Sequence, residues 1–199
     1  MNINSLIFAA RNKRNMPRPR DENKVLLIHA AALKLVIKTG FSSLKMADVA
    51  KEAGIATGTL YIYYKSREDL INDLYVVTKK EIAEVMLSPE NQEDTLYGSF
   101  KKMWLAYFFF CYKNPEKMLF TEQFLYSGLI SETNKALTDS FFEPLNQFLE
   151  AAKKQSFIKD LDVELLKAHM HGALHEIVKL LIKSGQRPEA FPIHSMFEL

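Results

Sequence analysis

Cysteine is nearly absent: the 199 residues contain one, Cys111. A single thiol excludes an internal disulfide and fits a reducing cytoplasm, the expected location. Long hydrophobic runs are missing too. None approaches the roughly 18 residues that span a bilayer, so no membrane partner is expected. Ser5 to Ala10 is apolar, but its basic residues follow it, the wrong order for a signal peptide. Met16 is a second candidate start. Catalytic signatures are lacking as well, with no HExxH, GxSxG, P-loop or dinucleotide fingerprint. The densest titratable group is His171, His175 and Glu176. Two histidines at i, i+4 have a metal-chelating spacing, yet no third ligand is signalled, and packing or interfacial histidines explain them. No metal, cofactor or enzymatic activity is expected. In the second half strand alternation, repeats and low-complexity tracts are absent, which leaves an all-α domain there.

What is present is charge asymmetry and helical periodicity. The net charge is +2. Residues 1–80 hold 14 Lys and Arg against 7 Asp and Glu, and residues 81–199 hold 12 against 17. A basic first half suits a nucleic-acid partner and an acidic second half does not. The basic half contains MADVAKEAGIATGTLYIYYKSREDL, from Met46 to Leu70. Met46, Val49, Ala50 and Ala53 share one helical face. Gly54 follows where a helix ends in a left-handed residue. A second short helix over Thr57–Tyr64 places Leu60, Tyr61 and Tyr64 inward, and Ile55 plugs the angle between the two. Ser66 with Asp69 predicts a capping box for the next helix. Gly58 inside a short helix costs about 0.5–1 kcal/mol relative to Ala, and close approach of a phosphate would give it a reason. Two short helices about a Gly turn form a helix-turn-helix, whose second helix can enter a major groove.

The run from Ala50 to Leu70, AxxAGxxxGTLYxYYxSRxxL, resembles the signature of the TetR family, the tetracycline-repressor type of bacterial transcriptional regulator. Gly54, Gly58, Thr59, Leu60, Tyr61 and Tyr63 all stand where that pattern has them. The resemblance implies an N-terminal three-helix helix-turn-helix DNA-binding domain. A C-terminal helical domain for ligand binding and dimerisation would follow it. The expected division is a flexible basic arm over 1–20, the DNA-binding domain over 21–66, a connecting helix over 67–88 and the effector-binding and dimerisation domain over 89–199. The arm carries Arg11, Lys13, Arg14, Arg18 and Arg20, broken by Pro17 and Pro19. Candidate DNA contacts are Lys45, Thr57, Gly58, Thr59, Tyr61, Tyr63, Lys65 and Arg67. Thr57 and Thr59 suit base edges. Tyr63, Lys65 and Arg67 suit phosphates, which give affinity and register rather than sequence choice. Two positions depart from the family pattern: Lys45, where a capping hydroxyl is usual, and Ala56, where Ser is frequent.

Periodicity predicts the remaining helices over 94–112, 115–128, 132–154 and 163–184. Pro144 is expected to kink the third of these, and Asp162 and Gly185 to bound the last. The aromatic load between Tyr97 and Phe148 exceeds what a small bundle needs. Candidate ligand contacts are Trp104, Tyr107, Phe108, Cys111, Gln123, Phe124, Tyr126 and Phe141, around a small, mostly apolar effector. Ala168, Gly172, Ala173, His175 and Leu180 are the candidate homodimer contacts. The segment from Pro188 to Leu199 looks short for such an interface. Together these features imply a ligand-responsive regulator, expected to be a repressor, that binds a palindromic DNA operator as a dimer. A helical binding or adaptor protein of the same fold without specific DNA recognition is the alternative, favoured by Lys45 and Ala56.

Overall fold

The computed structural model describes residues 21–190. The basic arm over 1–20 and the chain beyond 190, with Pro192, lie outside the described residues. Nine α-helices and three short 3-10 turns make up the described part: α1 Glu22–Thr39, α2 Met46–Glu52, α3 Thr57–Tyr63, α4 Arg67–Met86, α5 Leu96–Lys113, α6 Pro115–Leu125, α7 Glu132–Phe141, α8 Glu143–Lys154 and α9 Val163–Ser184.

Local chemistry sets these boundaries. Asp21 caps α1 by accepting from the Lys24 amide. Gly54, at φ +68°, ends α2. Its amide donates to Lys51 O at 3.2 Å, and the Ile55 amide donates to Ala50 O at 2.9 Å. That bond pair is a Schellman closure, which needs a left-handed residue in the middle. Ser66 Oγ accepts from the Asp69 amide at 3.0 Å and starts α4. The reciprocal bond of a capping box is displaced by one residue, because Asp69 Oδ2 accepts from the Lys65 amide at 3.3 Å. Thr95 and Asp162 cap α5 and α9 in the same manner as Ser66.

Two boundary expectations need correction. The single kinked helix over 132–154 is two helices, α7 and α8, meeting at Phe142. Pro144 falls in the first turn of α8, where a missing N–H costs nothing and the fixed φ favours a helix start. Helix α6 stops at Leu125, short of Gly128.

Burial divides the apolar residues into two clusters. The first joins α1–α3 and the N-terminal half of α4, and it also takes Phe120 and Phe124 from α6. Phe41 packs on both of these rings, and Tyr75 lies 4.6 Å from Phe124, centroid to centroid. The second cluster joins the C-terminal half of α4 to α5, α8 and α9, and Met118 of α6 belongs to it. Helix α4 contributes to both and packs against α1, α5, α6 and α7. A displacement of α4 is therefore felt in both clusters.

Candidate nucleic-acid interface and inner cavity

Helix α3 buries one side and presents the other. Leu60 is fully buried, and Tyr64 at its C-terminal cap is nearly so. The Tyr64 hydroxyl donates to Asp73 Oδ2 at 2.6 Å and lies 2.7 Å from Nε2 of His29, which is itself 7% exposed. This trio, buried at His29 and Tyr64 and half-buried at Asp73, ties the end of α3 to α1 and α4. Thr57 and Gly58 are exposed and Thr59 is half-buried. Tyr61 is 51% exposed, so its inward placement is corrected; of the three residues placed inward, Leu60 and Tyr64 face the core. Tyr63 is half-buried and packs against the first cluster. Ile62, missed in the sequence, is 82% exposed, the barest large apolar side chain of the described N-terminal half. An apolar residue between two tyrosines on a helix too short to bury all three was its only signal.

The protein supplies no internal reason for Gly58. Its φ is not left-handed, and a Cβ built there meets nothing within 4 Å. Lys45 and Ala56 precede α2 and α3 without a side-chain cap. Lys45 and Lys65 are exposed. Arg67 is used differently. Its Nη1 donates to Phe41 O and Ser42 O, each at 3.3 Å, and its Nη2 pairs with Glu68 at 2.8 Å. The guanidinium fastens the start of α4 to the Phe41–Ser43 turn.

The second half contains a cavity of about 670 Å³ bounded by α4–α9. Its inner wall includes Tyr75, Lys79, Ile82 and Met86 of α4, Tyr107, Phe142, Leu145, His171 and His175; Tyr126 stands at its exposed rim. Of the expected ligand contacts, Tyr107 and Tyr126 line it. The others do not. Trp104 stacks on Phe108 within the second cluster, and Cys111 is fully buried there. Burial pushes the Cys111 thiol up to about 12. Phe124 is enclosed in the first cluster, Phe141 packs on the second, and Gln123 is exposed. Three of the expected dimer contacts, Ala168, Gly172 and His175, line the cavity. Ala173 and Leu180 lie on the exposed side of α9, with Leu180 56% exposed.

Polar groups in this wall are unevenly satisfied. Tyr107 Oη lies 2.8 Å from His175 Nε2, and His175 Nδ1 lies 4.0 Å from Glu122. Burial keeps the Tyr107 hydroxyl well above its ordinary range, hence neutral. His171 differs: its Nε2 is buried with no hydrogen-bond partner. Burial, then the nearby Lys79, push the His171 pKa down to about 3. Asn72, on α4, is satisfied at every position. Its amide donates to Glu68 O and Leu129 O, each at 3.0 Å, and its oxygen accepts from Ser131 N and Asn134 Nδ2, each at 3.1 Å. It clasps α4 to the start of α7, which carries the cavity residues Lys135 and Asp139.

Two family models match the chain. One, for bacterial regulatory proteins of the tetR family, matches residues 28–74; the other, for a tetracyclin repressor-like C-terminal domain, matches residues 96–190. The fatty acid metabolism regulator protein of Bacillus subtilis (strain 168) is 22% identical over 180 residues, 88% of this chain and 93% of that protein. A TetR family transcription regulator from Marinobacter aquaeolei VT8 superposes with a TM-score of 0.82 at 23% identity, covering 92% of this chain and 95% of its own. The regulator FadR from Bacillus subtilis, solved in complex with stearoyl-CoA, gives a TM-score of 0.64 at 20% identity, covering 87% of this chain and 93% of its own.

Proposed function

We propose, from the premise that this chain belongs to the TetR family of bacterial regulatory proteins, that it is a repressor which binds a palindromic operator as a homodimer and leaves it when the inner cavity fills. One observation carries the DNA half. The outward strip of α3, with Thr57, Gly58, Tyr61 and Ile62, is exposed while Leu60 and Tyr64 anchor the helix from behind. An isoleucine in solvent and a glycine without an internal purpose both make sense against a duplex. Ile62 and the Thr57 methyl suit thymine methyls, and Gly58 allows a phosphate to approach. Lys45, Lys65 and Tyr63 flank the strip as phosphate contacts. A twofold dimer would set two such helices about 34–36 Å apart or a multiple of that, with Ala173 and Leu180 of α9 at the dimer contact. Binding chromosomal DNA places the protein in the cytoplasm, and the role is binding, not catalysis.

The effector half rests on the cavity and on the chemistry of the relatives. FadR holds an acyl-CoA, and a hydrocarbon chain suits the apolar wall of Ile82, Met86, Phe142 and Leu145. Filling the cavity would press on α4, which also backs α3 through Asp73 and Tyr64. Ligand must favour the released arrangement by differential affinity for the switch to work. The test is selection of duplexes from a random pool by the purified protein. Recovery of a palindromic consensus with a steep salt dependence supports the reading. Recovery of no consensus would favour the adaptor alternative.

A further inference from the structure

Each charge lining the cavity is either paired or open to water, except at one point. Glu122 pairs with Lys179 at 2.9 Å, and Glu164 pairs with Lys167. Lys135 and Asp139 are exposed, where water screens them. Lys79 is different. It projects from the middle of α4, forms no ion pair among the described residues, and lies 4.3 Å over the centroid of the Phe142 ring. Burial lowers its pKa to about 8, against a smaller opposing pull from Asp139. A ring face offsets only part of what an ammonium loses on leaving water. Beside it, His171 keeps a buried nitrogen with no partner. An unmatched cation and an orphaned polar atom therefore share one inner wall, next to the hydrocarbon surface of Ile82, Met86 and Leu145.

A neutral hydrocarbon entering this cavity would strip the remaining water from Lys79 and raise its cost. An anionic head would remove that cost. A CoA thioester carries its charge on the nucleotide end, so at Lys79 it would offer only a carbonyl oxygen. We propose that the effector is a carboxylate-headed hydrocarbon, its carboxylate held inside the cavity by Lys79 beside His171 and its chain along Ile82, Met86, Phe142 and Leu145. This rests on the effector reading of the cavity above. Lys79 is then the specificity-determining residue, and the charge of the ligand, not its length alone, decides entry.

Calorimetric titration of the whole protein with decanoate, 1-decanol and decanoyl-CoA tests this, with Lys79→Met as the variant. Decanoate is expected to bind at least tenfold more tightly than decanol or decanoyl-CoA, and Lys79→Met to erase that preference while still binding decanol. Raising the pH from 7 to 9 should weaken decanoate about tenfold, as Lys79 gives up its proton, and leave decanol no weaker, since a neutral Lys79 no longer opposes a neutral ligand. The other groups facing Lys79 are Asp139 on α7, Tyr107 on α5, and Glu164, Lys167, His171 and His175 on α9. His171 and His175 are lowered by burial and Tyr107 raised by it, so these three stay neutral across that range. Equal affinity for decanoate and decanol overturns the carboxylate site and leaves the effector cavity standing. So does a preference for decanoyl-CoA that survives Lys79→Met. If none of the three binds, or all bind without altering DNA affinity, the effector reading itself fails.

Discussion

Removing the Asn72 clasp is the most informative perturbation of the coupling between the two halves. Asn72 is 8% exposed and serves four partners, of which Leu129 O and Ser131 N are backbone groups in the connection between α6 and α7. In Asn72→Ala both lose their partner, and Asn134 loses its acceptor. A net hydrogen bond is worth about 0.5–1.5 kcal/mol, and a buried group left unpaired costs about 1–3 kcal/mol. The site is only partly buried, and the Ala-sized gap admits a water, so a loss of about 2–4 kcal/mol is expected. Urea unfolding at pH 7 measures it: the midpoint should fall with an unchanged slope. Asn72→Asp keeps the acceptor for Ser131 and Asn134 but turns a carboxylate toward two carbonyls, so it should fare no better. The functional consequence is separate. The clasp joins α4 to the helix carrying Lys135 and Asp139, so Asn72→Ala should retain ligand affinity while ligand loses much of its effect on DNA binding. A destabilisation below about 0.5 kcal/mol, the usual range for surface changes, would refute the burial argument. An undiminished ligand effect would refute the coupling.

Other predictions follow from the same geometry. Lys79→Met should stabilise the ligand-free protein at pH 7. The folded-state pKa is lowered from 10.5 to about 8, so the folded form releases this proton first. Stability is therefore lost as pH falls from 10.5 to 8 and is flat below; at about 1.4 kcal/mol per unit this costs on the order of 3 kcal/mol. Equal unfolding midpoints for the variant and the wild type would contradict it. His171, lowered to about 3 from 6.5, is held neutral when folded. Stability should decline as pH falls below 6.5 by up to about 1.4 kcal/mol per unit, and His171→Gln should flatten that decline; parallel curves would remove His171 as its cause. Lys65→Ala should weaken binding to all duplexes and reduce the salt slope by about one counterion, whereas Arg67→Ala should lower the unfolding midpoint and leave the slope unchanged. An interchange of these two outcomes would reverse the assignments of Lys65 and Arg67.

Much of the fold is legible in the sequence because its signals are local. Gly54 marks a left-handed closure, Ser66 and Asp162 mark helix starts, and each fixes its boundary through one or two bonds to near neighbours. Pro144 was ambiguous for a local reason: a proline two residues into a helix and one in its interior look alike until the break at Phe142 is known. The cavity was far less legible. Periodicity tells which face of a helix is buried, not which neighbour buries it. Phe124 and Trp104 are as aromatic as a pocket residue, yet one closes the first cluster and the other is stacked on Phe108. Lys79 gave no signal, since a lysine on a long amphipathic helix ordinarily reads as solvent-facing. Ala168 and Gly172 are small enough for a helix interface and equally for a cavity rim, and spacing alone does not separate the two.

The central claim, that the outer strip of α3 reads a duplex, is tested most directly by placing a carboxylate at its outermost point. Ile62 is 82% exposed, so Ile62→Asp should leave the unfolding midpoint within the range of ordinary surface substitutions. Affinity of the variant for the duplex selected by the wild-type protein, measured by fluorescence anisotropy at fixed salt, should fall by at least about 100-fold, because the new charge would be driven into a groove walled by phosphates. An unchanged affinity would mean that DNA, if bound, meets some other surface.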